Sequence, residues 1–123
     1  MENKIDYYLE KTKDTIIECL MNNSGPSEDT PKIILRHIEF YGIENVKKKL
    51  LKIIGKNDTE KILQKKIVTK EMLKKLLESE KIDIDVEYEE IIVNMYEGKF
   101  FIHELFTVVW DSLNKKIKEI NIC

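Results

Sequence analysis

Apolar residues recur at helical spacing along most of this chain, and that pattern predicts its elements. Ile5, Tyr8, Leu9, Thr12, Ile16, Cys19 and Leu20 give a first helix from about residue 4 to 21. Residues 22–31, NNSGPSEDTP, read as a loop, and Thr30–Pro31 reads as the cap and first residue of a second helix that ends at Gly42. Ile43, Val46, Leu50, Ile53 and Ile54 describe a third helix closed by Gly55 as a left-handed cap. Asn57–Glu60 resembles a capping box opening a short fourth, and Thr69 caps a fifth with Met72, Leu73, Leu76 and Leu77 inward. Ile82, Ile84 and Val86 alternate with Asp83, Asp85 and Glu87, so this one segment reads as extended: a linker or a lone edge strand.

The helical period then resumes. Tyr88, Ile91, Ile92, Met95 and Tyr96 predict a sixth helix, with acids in its first turn. After Gly98, Ile102, Leu105, Phe106, Val109, Leu113, Ile117 and Ile120 line one face of a long closing helix, Lys99–Ile120. That stretch holds the only tryptophan, Trp110, and three of the four phenylalanines, which makes it the expected organiser of the core. The expected fold is therefore all-α: one domain over residues 1–123, a bundle of six or seven helices with one short extended segment near 82–86.

Composition narrows the classes of function. The 123 residues are enough for one core, and a formal net charge of −2 argues against a strongly basic nucleic-acid binder. No apolar run approaches the roughly 18 to 20 residues that cross a bilayer, and the N-terminus is too charged for a signal peptide, so no membrane partner is expected and the cytoplasm is the expected compartment. Charge is unevenly placed. Residues 47–75 carry eleven lysines against Asp58, Glu60 and Glu71, whereas residues 78–99 carry eight acids against Lys81 and Lys99. The basic block lacks the interleaved arginines and aromatics of nucleic-acid faces and reads as a solvated side. The acidic block reads as a surface for a cationic partner, whose association such a field accelerates.

Little in the chain points to catalysis. His37 and His103 are read as surface or boundary residues, without the spacing of a catalytic or metal pair. There is no Walker-type loop, GxGxxG or HExxH motif, and the four glycines are isolated. Cys19 and Cys123 form no metal-ligand spacing and are expected as thiols. No catalytic residue, metal ligand or cofactor is assigned.

The segment 91–110, IIVNMYEGKFFIHELFTVVW, resembles the helix–Gly–Lys–helix pattern of small bacterial immunity proteins, those that neutralise colicin-like or contact-dependent growth-inhibition toxins. The matching features are Tyr96, Gly98, Lys99, Glu104, Phe106 and Trp110. The resemblance implies a non-catalytic inhibitor that binds a cognate toxin domain, such as a nuclease, one to one. A small acidic protein suits the cationic cleft of a nuclease, and nuclease–immunity pairs are among the tightest complexes known. The expected contact residues are Asp83, Asp85, Glu87, Tyr88, Glu89, Glu90 and Glu97, with Tyr88 as an aromatic anchor. Two rival functions stay open: a viral or phage helical protein that occupies a host or defence factor, and a nucleic-acid-binding regulator using the 47–75 block. A homodimer is also open.

Overall fold

The computed structural model describes residues 2–22 and 30–122. Four helices come first: α1 (Glu2–Asn22), α2 (Lys32–Tyr41), α3 (Ile43–Leu63) and α4 (Lys70–Leu77). Four strands follow: β1 (Lys81–Val86), β2 (Glu90–Tyr96), β3 (Leu105–Asp111) and β4 (Lys116–Asn121). They form one antiparallel meander in the order β1-β2-β3-β4. The fold is α+β, which overturns the all-α expectation.

The helical half follows its apolar stripes. In α1, Tyr8, Thr12, Ile16 and Leu20 are buried at helical spacing. Thr69 caps α4, its hydroxyl accepting from the Met72 N–H. Two local expectations change and a third holds. Pro31, not Thr30, precedes α2 as its N-cap, and the Thr30 hydroxyl donates instead to the Lys66 carbonyl. The break expected at Gly55 is present: its backbone leaves helical geometry (φ 87, ψ 175), so α3 is two helical stretches that meet there at a kink. No capping box opens at 57–60, where the Thr59 hydroxyl donates back to the Gly55 carbonyl. The loop expected over 22–31 falls mostly outside the described residues.

The larger correction is the C-terminal half. The sixth helix and the closing helix Lys99–Ile120 are strands and turns. Ile91, Val93 and Met95 in β2 and Phe106, Val108 and Trp110 in β3 are all buried at period two. Their register pairs Ile91 with Trp110, Val93 with Val108 and Met95 with Phe106, so the six form one continuous apolar face. Both segments are apolar on nearly every position, a pattern that satisfies either period. Their β-branched and aromatic content favours the pleated alternative. The extended segment at 82–86 is β1, an edge strand that pairs with β2 and is not alone.

One hydrophobic cluster joins the two halves. α1 lies across the inner sheet face, where the buried Trp110 Nε1 donates to the buried Thr12 hydroxyl at 2.8 Å. The loop between β2 and β3 dives inward and places Phe100 and Phe101 in the core beside Phe106. His37 of α2 stacks on Phe100, ring centroids 4.6 Å apart. It is 2% exposed, a core residue and not the boundary residue its sequence context suggested.

Candidate partner-binding face

The acids singled out in the sequence come together on the β1–β2 hairpin, but not on a helix. Asp83 and Asp85 point to the outer sheet face of β1, opposite Asn94 and Ile92. Glu87, Tyr88 and Glu89 make the turn, closed by the Glu87 N–H donating to the Glu90 carbonyl at 2.9 Å. Glu90 opens β2 and Glu97 follows its end, so the expected helical setting of Glu89, Glu90 and Glu97 is corrected to a hairpin.

These acids differ in what they already hold. Glu90 forms an ion pair with Lys118 of β4, which raises the Lys118 ammonium above its ordinary value chiefly through that hydrogen bond. Glu97 pairs with Lys81 at 3.3 Å. Asp83 engages Tyr96 and, first by its charge and then by a hydrogen bond, holds that phenol above the usual tyrosine range. Among the described residues, Asp85, Glu87 and Glu89 have no ion-pair partner and stay exposed. Tyr88 at the hairpin turn is 96% exposed. An aromatic ring so fully in water contributes nothing to this fold and is available to another surface.

A groove of about 480 Å³ runs beside that turn, walled by Tyr7 and Tyr8 of α1, by Val86, Tyr88 and Ile91 of the hairpin and by Leu113 of the β3–β4 turn. Glu87, Ser112 and Lys115 complete its rim. The groove exists because β1 extends the inner sheet face past the cover of α1. Val86 is 65% exposed and Leu113 69%, although Val86 shares a face with the buried Ile91. Asp111 fixes the far wall by accepting from the N–H groups of Leu113 and Asn114 and from the Asn114 side chain, bonds that hold its carboxyl below the usual range. Tyr7, Val86 and Leu113 were missed as site residues. The available signal was that Tyr7 lies outside the inward stripe of α1.

A second polar cluster lies at the β2–β3 loop. Glu80, 7% exposed, accepts from the Gly98 N–H at 3.0 Å through Oε1, while its Oε2 is buried without a hydrogen-bond partner. Burial first, and the nearby Glu104 charge second, push its carboxyl to about 7 against the opposing pull of the Gly98 N–H. Ser79 accepts from the Lys99 N–H at 3.0 Å and donates to the Leu76 carbonyl. His37 faces two carbonyls, Ile33 at 2.8 Å from Nδ1 and Phe100 at 3.2 Å from Nε2, and burial lowers its pKa. Glu80, Ser79 and His37 together hold the backbone of that loop at Gly98, Lys99 and Phe100. Gly98 is required by closeness, because a Cβ there would come within 2.1 Å of Glu80 Oε1.

The basic block is dispersed over α3, α4 and the turn between them, and part of its charge is spent internally. Lys61 and Lys75 approach Asp58 at 3.9 Å each, Lys70 pairs with Glu18, and the Lys49 ammonium lies 4.0 Å from the Tyr41 ring centroid. Among the described residues, no three His, Cys, Asp or Glu side chains converge to hold a metal ion, and no helix is long and apolar enough to cross a membrane.

No protein-family model matches the chain, and comparison with curated proteins and with solved structures likewise returned no match. The residues that carry the likeness to immunity proteins, 91–110, form β2, a loop and β3, not the helix–Gly–Lys–helix of that pattern.

Proposed function

We propose that this protein acts without chemistry of its own, by one-to-one binding of a cationic protein partner on the β1–β2 hairpin. The observation that carries the reading is the exposed Tyr88 ring set among Asp85, Glu87 and Glu89, three carboxylates with no ion pair among the described residues. Buried aromatic anchors dominate binding energy at interfaces, and unpaired like charges around one raise the rate at which an oppositely charged surface arrives. A toxin domain with a cationic cleft, such as a nuclease, is the partner class proposed, and inhibition by occlusion in the cytoplasm is the proposed outcome. The resemblance to immunity proteins now lends this partner class little, since its helical hairpin is absent; the charge and the exposed ring support it.

The experiment is co-expression with candidate cationic toxin domains, the product of the adjacent gene first, reading growth, together with association kinetics of the purified pair. Protection is expected with the natural chain and its loss with the triple variant Asp85→Lys, Glu87→Lys, Glu89→Lys. A natural chain that neither protects nor associates refutes the reading. So does a triple variant that associates at the natural rate.

A further inference from the structure

β1 is an open edge of the sheet. It pairs with β2 on one side, and among the described residues no strand lies on the other. The Glu87 N–H donates to the Glu90 carbonyl, which sets the alternation of the ladder: Asp85, Asp83 and Lys81 turn their backbone groups toward β2. The N–H and C=O groups of Ile82, Ile84 and Val86 therefore point to the free edge. The side chains of these three lie on the inner sheet face, opposite Met95, Val93 and Ile91. Ile84 packs against the core, whereas Ile82 and Val86 stay exposed. On the outer face Asp83 and Asp85 form an acidic row. β1 thus combines unpaired backbone groups, apolar side chains left uncovered on one face and carboxylates on the other.

The two edges of the sheet differ. Bulges and charge are common ways of blunting an edge strand. β4 pairs with β3 through a register shift between Val109 and Trp110 and carries Lys116 and Lys118, so that edge is irregular and basic. β1 runs straight, without a register shift. Its acids oppose a second copy: antiparallel pairing of two β1 strands centred on Ile84 would set Asp83 of each copy against Asp85 of the other, and like charges directly opposite destabilise a sheet. They suit a strand with cations where those acids lie and apolar residues between.

We propose that β1 takes up an extended segment of the partner as a fifth strand, and that this segment alternates basic with apolar residues. Its main chain would pair with Ile82, Ile84 and Val86. Its apolar side chains would cover Ile82 and Val86 on the inner face, and its lysines or arginines would lie opposite Asp83 and Asp85 on the outer one. In such strand addition the main-chain bonds supply affinity and the alternate side chains supply specificity. The inference rests on the reading above, in that the partner is cationic, and extends the contact from the turn along the strand that leads to it.

The test is a titration of the full chain, at low ionic strength, with the acetylated and amidated peptide KVKVKVK, read by the backbone amide spectrum and by amide hydrogen exchange. Saturable shifts along β1 and slowed exchange at the Ile82, Ile84 and Val86 amides are expected. N-methylation of the peptide's valines removes the N–H groups that face β1 and should weaken binding at least about tenfold. N-methylation of its lysines, whose N–H groups face away, should leave most of the binding. The double variant Asp83→Asn, Asp85→Asn, at exposed positions, should weaken the unmodified peptide about fivefold. Equal binding of the valine-methylated peptide overturns strand addition in favour of a contact of charge alone, and equal binding to the double variant overturns selection by the acids. No saturable shift overturns the proposal outright. So does β1 exchange that slows with rising protein concentration before any peptide is added, the mark of a second copy on that edge. Charge-sensitive association with a toxin domain while the peptide stays silent rejects strand addition alone. Normal peptide binding without toxin association rejects the functional reading alone.

Discussion

Replacing Glu80 by glutamine should stabilise the protein in a pH-dependent way. The carboxyl of Glu80 has moved from an ordinary 4.5 to about 7, chiefly through burial. At about 1.4 kcal/mol for each tenfold change, holding it ionised in the fold costs up to about 3 kcal/mol relative to the unfolded chain. A group whose pKa rises on folding contributes stability that is fully present below its unfolded value. Here that contribution is lost as the pH climbs from about 4.5 through about 7. His37 acts in the opposite sense. Burial lowers its pKa, so its contribution is present above about 6.5 and is lost as the pH falls through the lowered value. The wild-type profile therefore mixes two slopes, and the difference between variant and wild type isolates Glu80.

In Glu80→Gln the amide oxygen can still accept from the Gly98 N–H, and its NH₂ meets the same lack of an acceptor that the second carboxyl oxygen position now has. That shared defect makes the variant equal to wild type, or less stable by about 1 kcal/mol, at pH 5. Between pH 5 and pH 8 the difference should swing in favour of the variant by about 2 to 3 kcal/mol. Urea unfolding at pH 5, 6, 7 and 8, read by fluorescence of the sole tryptophan Trp110, measures it. A difference that stays flat within about half a kcal/mol across that range refutes the account of Glu80 as a buried carboxylate.

Gly98→Ala should lower stability by about 1 to 3 kcal/mol, because its Cβ displaces the Glu80 carboxylate from the Gly98 N–H; unfolding midpoints check this, and an unchanged midpoint contradicts the close approach. Thr12→Val keeps the shape but strips the partner from the Trp110 indole N–H; a loss of about 1 to 3 kcal/mol is expected, and no loss would mean that the α1–sheet contact is purely apolar. Phe106→Ala, at a fully buried position, should cost about 3 to 5 kcal/mol by the same assay, whereas Lys118→Ala should change stability by less than about 1 kcal/mol because its ion pair with Glu90 is solvent-exposed.

The apolar stripes by themselves determined α1, α2 and α4 and the breaks at Gly42 and Gly55, because a helix closes its hydrogen bonds within its own segment and its buried face recurs at i+3 and i+4. The charge count marked the acids of 83–97, but the local rules set Tyr88 and the acids from 87 onward on a helix that does not form. What they could not decide was the state of 88–120. Ile91 and Met95 stand four apart, as a helix face needs, and are also alternate positions of a strand with Val93 between them. A strand leaves its N–H and C=O groups unsatisfied until another strand arrives, so the choice belonged to the pairing of Val93 with Val108 and of Val108 with Ile120. The groove was equally invisible. It needs Tyr7 near one end of the chain and Leu113 near the other on either side of Tyr88, and only the packing of α1 across the sheet brings those three together.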